Sequence, residues 1–374
     1  MKFIILKKNL KDGLRSIEKI NAENSNLPIL KNFLIESFDN KIKISATNLE
    51  LAVTSFISGK IIEEGGITIP LNIFNSIINN LSSERINLEL LENNKLLIKT
   101  DNYQAEIQGI KKEEFPIIPK IENIKNYIKI QNPILLNSLI LIINSIALDG
   151  RPELAGALFD FQTTILKLAT TDTFRLSEKT IINTQFESNI DKNFKTIIPI
   201  KTLQEVIKEI QNNEEEKTEI YFDQNQVLFK TKNTEIISRL INGEFPDYQQ
   251  IIPKIIDFEI MANTEEFINA IKLSSIFTDK FNEIKILLKE DLKNIEIFSF
   301  GQNIGGNRCL VPAKIKGSLG GDLETAFNWK FLLDGVKNIK SENIFLGLNN
   351  SNKPAIIKSP EDNSWFYIIM PIKN

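Results

Sequence analysis

The sequence predicts an α+β protein made of three tandem copies of one domain, each with two helices packed on antiparallel sheets. Two observations predict it. A strand-like stretch that opens on Asn is written three times: Asn94-Lys95-Leu96-Leu97-Ile98-Lys99-Thr100, Asn225-Gln226-Val227-Leu228-Phe229-Lys230-Thr231 and Asn352-Lys353-Pro354-Ala355-Ile356-Ile357-Lys358-Ser359. Leu96 and Val227 stand 131 positions apart, and Val227 and Ala355 stand 128 apart. The flanking pieces recur in the same order: Ile69-Pro70, Ile198-Pro199 and, in third place, Ala326-Phe327; then Glu114-Phe115-Pro116 and Glu244-Phe245-Pro246. Solenoid units run to roughly 20–50 residues because one small unit cannot bury its own apolar face; a longer unit such as this is domain-sized. The Pro-rich breaks after Phe115 and Phe245 set the domains at 1–122, 123–252 and 253–374.

Each copy opens on a helical pattern. Leu10, Leu14 and Ile17 mark one face in the first copy, and Pro133 starts a helix over Ile134–Ala147 in the second. In the third, Thr264 is the expected N-cap, with Phe267 and Ile271 on the buried side. Strands follow: Lys41–Ala46 alternates polar and apolar side chains, as a half-buried strand does, and Ile165–Ala169 and Asn294–Ile297 are similar. A second helix is predicted in each copy over Leu71–Leu81, Lys201–Ile210 and Trp329–Ile339 before further strands close the unit. Helices gathered on one side of antiparallel sheets make the class α+β.

Composition narrows the chemistry. The 374 residues include no His and a single Cys, Cys309, so neither a Ser-His-Asp nor a Cys-His catalytic set can be built, and no intrachain disulfide. No cofactor or metal is expected. The formal charge of −3 means that any nucleic-acid contact rests on a local basic patch. The opening Met1–Lys8 has too short an apolar core for a secretion signal, and Ile134–Leu148 carries Asn137, Ser138, Asn144 and Ser145 and is too short to span a bilayer. A soluble cytoplasmic protein is the expectation.

Six pieces in order, on the threefold repeat, then resemble one family: Leu27-Pro28-Ile29-Leu30, Ala46-Thr47-Asn48-Leu49-Glu50, Ala169 to Leu176, Gly243 to Tyr248, Phe327-Asn328 with Leu333-Asp334, and Met370 to Lys373. Over its whole length the chain is similar to the bacterial DNA polymerase III beta subunit, the replication sliding clamp. The resemblance implies three domains per chain, two chains joined head to tail in a ring, helices lining the hole and sheets outside. It implies no active site: the ring encircles duplex DNA without reading bases and tethers the polymerase. The expected partners are double-stranded DNA, a second copy of the chain, and the replicative polymerase, clamp loader and repair proteins through short hydrophobic peptides.

Site residues follow from the same resemblance. The partner-peptide cleft maps to Leu154, Thr171, Phe174, Arg175, Leu176, Pro246, Ile251, Ile368, Met370, Pro371 and Ile372, an apolar set with one adaptable Met. A buried-core role competes for Leu176 and Ile368, and a salt bridge that shapes the turn competes for Asp172 and Arg175. The DNA-facing candidates are Lys7, Lys11, Arg15, Arg151, Lys201 and Lys337, and a solvated charged face explains them equally well. For the dimer contact, the edge strands are placed at Tyr103–Gln108 and Asn294–Phe300, with Tyr103, Ala105, Ile276, Phe277 and Ile297 as contact residues; an internal core role competes here too. Phe174 stands where the family often has His, Gln250 where it often has Arg, and Asn24-Ser25-Asn26 lacks the family's loop Arg.

Two other classes compete. A hydrolase needs converging carboxylates, and Glu63-Glu64 and Glu113-Glu114, if on strands, would point to opposite faces. A multidomain scaffold that binds only proteins also fits a chain without catalytic residues.

Overall fold

The structure, a computed structural model, describes residues 1–20, 27–121, 126–211, 216–289, 293–317 and 321–373. The Asn24–Asn26 loop, the predicted boundary at 122/123 and Asn374 lie outside them. The first repeat runs β1 (Lys2–Leu6), α1 (Lys7–Ile17), β2 (Asn32–Phe38), β3 (Lys41–Thr47), β4 (Leu51–Ile57), β5 (Lys60–Glu63), β6 (Gly66–Pro70), α2 (Leu71–Asn80), β7 (Arg85–Leu91), β8 (Lys95–Lys99), β9 (Gln104–Gln108) and β10 (Ile110–Lys111). The second runs β11 (Tyr127–Gln131), α3 (Asn132–Ile143), β12 (Gly156–Gln162), β13 (Ile165–Thr171), β14 (Arg175–Ile182), β15 (Phe186–Ser188), β16 (Phe194–Pro199), α4 (Ile200–Ile210), β17 (Lys217–Phe222), β18 (Gln226–Lys230) and β19 (Thr234–Arg239). The third runs β20 (Phe258–Asn263), α5 (Thr264–Ser275), β21 (Glu283–Leu288), β22 (Asn294–Gly301), β23 (Gly305–Lys316), β24 (Leu323–Asn328), α6 (Trp329–Val336), β25 (Asn343–Leu348), β26 (Ala355–Lys358) and β27 (Trp365–Ile369). Strand, helix, strands, helix, strands: the order is the same three times.

The chain packs as two compact units. One holds Met1–Leu136, Thr184–Asp191 and Lys201–Leu240. Its sheets are β5-β1-β7-β8-β9 and β10-β6-β2-β3-β4-β19-β18-β17-β11-β15. The other holds Asn137–Asn183, Lys192–Ile200 and Ile241–Asn374. Its sheet runs β16-β12-β13-β14-β27-β26-β25-β20-β23-β22-β21-β24. Every named pairing is antiparallel, including β4 with β19 and β14 with β27. Those two pairings share a rule: the strand before the middle of one repeat meets the last strand of the next.

The helices bury the predicted faces. Leu10, Leu14 and Ile17 of α1 are at most 1 % exposed, as are Phe267 and Ile271 of α5. Each such side chain, taken from water, contributes about 1.5–3 kcal/mol. Gly13 of α1 lets the helix lie close on the sheet, since a Cβ there would stand 2.6 Å from both Ile44 and Ile57.

Two expectations need correction. The cap of α5 is Asn263, whose side chain accepts from the Glu265 and Glu266 amides; Thr264 is the first helical residue. Helix α3 stops at Ile143 and α6 at Val336, because 3.6-residue periodicity persists past the last hydrogen-bonded turn. Glu63 closes β5, Glu64 lies beyond it, and Glu113-Glu114 sits in the 3-10 turn Lys112–Glu114, so neither carboxylate pair lies within a strand.

Candidate functional site

The β13–β14 turn is built by its own side chains. Thr171 Oγ1 donates to the Arg175 carbonyl at 2.7 Å and accepts from the Thr173 amide at 3.1 Å. Asp172 Oδ1 accepts from the Phe174 and Arg175 amides, each at 3.0 Å. These bonds hold Thr173 at φ 76. The β3–β4 turn repeats every one of them with Thr47, Asn48, Leu49, Glu50 and Leu51, and Leu49 also has φ 76. A short polar side chain satisfying backbone groups two and three residues on is what fixes such a turn.

In the second copy the turn presents Phe174 and Arg175. Phe174 is 60 % exposed, and its ring stacks at 6.4 Å on Phe331 of α6. The Arg175 side chain points inward. Its Nε bonds Asp172 at 2.8 Å, its Nη1 bonds Asp334 of α6 at 2.5 Å, and its guanidinium lies 4.2 Å from the Phe331 ring centre. Burial works against its charge, but Tyr367 and the two carboxylates outweigh burial and raise its pKa. Tyr367 donates to the Phe331 carbonyl at 2.8 Å, and burial pushes its own pKa up. The salt bridge weighed for Asp172 and Arg175 is therefore present, and it extends to a third partner.

The strand after the turn carries the remaining residues. Leu176 pairs with Ile368 and Arg175 with Ile369 in the β14–β27 register. The Met370 amide donates to the Phe174 carbonyl at 2.8 Å, and Ile372 donates to Ala326 at 2.8 Å. Leu176 and Ile368 are core residues, as the competing reading had it; Leu154 too is buried, at 3 % exposure, and so is Pro371. Phe174, Pro246 and Ile251 stand open to solvent, and Met370 and Ile372 are half-buried. Phe331 was not among the site residues expected. Its signal was its place three before Asp334, which puts both on one face of α6.

Pro246 and Ile251 lie on a segment over 243–252. Gly243 turns it at φ +138, a conformation L side chains rarely adopt. Tyr248 then packs into a cluster with Leu158, Ala169, Leu176, Ile356 and Ile368. Gln250 donates to Asp247 at 2.8 Å.

The basic residues are scattered more widely. On α1, Lys7, Lys11 and Arg15 follow at four-residue spacing and share a face. Lys7 bonds the Leu81 carbonyl, Lys11 is half-buried and Arg15 is exposed. Arg15 lines a cleft of about 460 Å³ with Asp12, Ser16, Lys208 and Glu209, so both signs of charge meet there. Ser16 donates to Glu209 of α4 at 3.0 Å. Lys201 and Arg151 are exposed, while Lys337 is held by Asp334 at 2.5 Å.

The expected edges divide. β9 is an edge, paired only with β8 among the described residues, and Tyr103 and Ala105 stand at it at least partly open. β22 is not an edge, since β21 and β23 flank it, and Ile297 is a core residue at 0 % exposure. The open edge belongs to the next strand. Gly305–Pro312 of β23 pairs with β22 alone among the described residues, while only Ala313–Lys316 meets β20. Strand alternation cannot distinguish the two, because openness is set by pairing far along the chain. Ile276, Leu310, Phe300 and Ile304 are 58–74 % exposed, and Phe277 is half-buried. Cys309, on this strand, is half-buried and accepts from Asn307 at 3.4 Å. Among the described residues no cluster of His, Cys, Asp and Glu fits a metal, and no helix is long and apolar enough to cross a membrane.

Three like domains, each a helix pair on antiparallel strands, define the class: a clamp-type α+β protein. Family models of the DNA polymerase III beta subunit match it end to end, the N-terminal domain over residues 1–119, the central domain over 137–247 and the C-terminal domain over 249–373. The chain belongs to the DNA polymerase III beta subunit family. It is 26% identical to the beta sliding clamp of Bacillus subtilis over 384 residues, covering 100% of each. The crystal structure of the B. subtilis DNA polymerase sliding clamp superposes with a TM-score of 0.93 at 26% identity, over 100% of this chain and 99% of that one. The Pseudomonas aeruginosa sliding clamp solved with griselimycin, at 21% identity, TM-score 0.92 and full coverage of both chains, shows the same fold.

Proposed function

We propose that the protein is a DNA sliding clamp, a non-catalytic processivity factor of two copies joined head to tail around duplex DNA. One observation carries the reading. The β4–β19 and β14–β27 junctions leave the third equivalent strand, β23, and the first last-strand, β9, each open on one side. An antiparallel pairing of β23 from one copy with β9 from another satisfies both edges, and two such junctions close the assembly. Ile276 and Phe277 stand with the β23 edge in this contact, and Tyr103 and Ala105 with β9.

The basic residues of α1 support DNA on the helical side. Lys7 and Lys8 occupy its first turn with no acidic residue there, against the helix dipole. Such a placement is unfavourable for the helix itself and favourable for phosphates nearby. Arg15, Arg151 and Lys201 extend the same reading; Lys337, neutralised by Asp334, contributes least. The turn at Phe174, with Met370, Pro246 and Ile251, is read as the cleft for short hydrophobic peptides of the polymerase, clamp loader and repair proteins. We place its work in the cytoplasm, with the DNA it encloses.

Light scattering on the eluting peak should give a dimer mass. After loading, the protein should stay on nicked circular DNA and leave it when the circle is linearised. Equal retention on both forms rules out enclosure; peptide binding with no DNA retention favours the scaffold.

A further inference from the structure

Among the described residues, the segment over 243–252 is held to the sheet by one polar contact. Tyr248, 6 % exposed, donates its hydroxyl to Glu178 Oε2 at 2.5 Å, and Glu178, on β14, is 5 % exposed. Lys167 stands 3.7 Å from the other oxygen of the same carboxylate. Phe245 meets the Tyr248 ring edge-on at 6.1 Å. The Tyr248 carbonyl in turn accepts from the Ile251 amide at 3.2 Å. Thus the residue that enters the core also begins the turn that sets Ile251.

The first repeat supplies an internal comparison. Its matching segment reads Glu114-Phe115-Pro116-Ile117-Ile118, so Ile118 occupies the place of Tyr248. Ile118 packs on a cluster containing Ala52, Ile121, Tyr221, Leu228 and Ile237. Apolar packing therefore suffices to fasten this segment where no cleft is read. The second repeat adds a buried hydroxyl–carboxylate bond at the same place, and a buried charge needs such a partner once it is there.

We propose that Tyr248 is a positioning residue for the peptide cleft: its hydroxyl, bonded to Glu178, fixes the segment over 243–252 so that Pro246 and Ile251 form one wall. This rests on the cleft reading given above. Burial and the Glu178 bond both push the Tyr248 pKa up, so the hydroxyl keeps its proton, and the bond, at ordinary pH.

The test uses the whole chain with a short hydrophobic peptide of the polymerase as the probe, by calorimetry, and amide hydrogen exchange over 243–252. Tyr248→Phe keeps the ring and removes the bond; Glu178→Gln keeps an acceptor and serves as the conservative rescue. The expected result is an affinity loss of about tenfold for Tyr248→Phe, the scale of one hydrogen bond to a charged group. Faster exchange confined to the segment should accompany it, with Glu178→Gln close to wild type. Faster exchange with unchanged affinity would make Tyr248 a fastening only and overturn the proposal, as would no change in either. A wild type that does not bind the peptide overturns the cleft reading and the proposal with it.

Discussion

Met370 and Phe174 are tied through the backbone: the Met370 amide donates to the Phe174 carbonyl at 2.8 Å. The same bond joins the second repeat to the first, where the Arg239 amide donates to the Glu50 carbonyl at 2.9 Å. The junction is therefore a property of the fold, and only the side chains set upon it differ. Met370→Ala keeps the bond and removes a half-buried thioether. Its melting temperature should stay near wild type, while calorimetry should show affinity for a short hydrophobic peptide of the polymerase falling about tenfold, the scale of an interface anchor. An unchanged affinity removes Met370 from the cleft.

Arg175 joins two carboxylates to the underside of Phe331, and its replacement should be felt in both stability and binding. Arg175→Ala leaves Asp172 and Asp334 facing each other without the guanidinium. We expect a loss of about 1.5–3 kcal/mol in urea unfolding, the range for hydrogen bonds to charged groups. Arg175→Lys restores the charge but neither the forked bond nor the ring stacking. It should recover part of the stability and little of the affinity. Full recovery of both by Lys would show that charge alone matters at this turn.

Much of this was legible in the chain. The strands at Lys95–Lys99, Gln226–Lys230 and Ala355–Lys358 lie where the threefold pattern put them, since alternation is a local property. The helix faces at Leu10, Leu14 and Ile17 were equally local. Arg175 and Asp334 stand 159 residues apart, and no local rule joins them. The edge strand failed for the same reason: β22 and β23 both alternate, and only long-range pairing leaves one side of β23 open. Asn263 and Thr264 are both good caps, and the backbone decided between them.

The β23 edge carries its own test. Ile276 and Leu310 are 62 and 63 % exposed, so Asp at each should leave the monomer folded. Ile276→Asp with Leu310→Asp should convert the dimer to monomer in sedimentation velocity, with the circular dichroism spectrum unchanged. Ile297→Asp is the contrast: it places a charge at a fully buried site and should unfold the chain's C-terminal core instead. A double variant that remains dimeric would move the subunit contact away from β23.

The Lys129–Glu219–Tyr221 cluster fixes a pH signature. Lys129 bonds one oxygen of Glu219 at 2.8 Å and Tyr221 donates to the other at 2.7 Å. The Lys129 bond, against the opposing effect of burial and with help from Tyr221, holds the Glu219 carboxyl below its usual 4.5. A depressed folded-state pKa gives stability that is present above the unfolded value and lost as pH falls through the folded one. The same bond, made first by hydrogen bonding to Glu219, raises Lys129 above 10.5; its contribution is full below that value and fades as pH climbs past the folded one. Burial, then the bond to Glu219, pushes Tyr221 up to about 12, so its hydroxyl remains a donor throughout. Glu219→Gln should therefore cost about 1 kcal/mol, the scale of a partly exposed pair. That difference from wild type should be level between pH 4.5 and 10.5 and shrink on either side. Urea midpoints of the two proteins, measured at pH 7 and beyond both limits, check it; a gap that widens on the acid side would reverse the sign and refute the assignment.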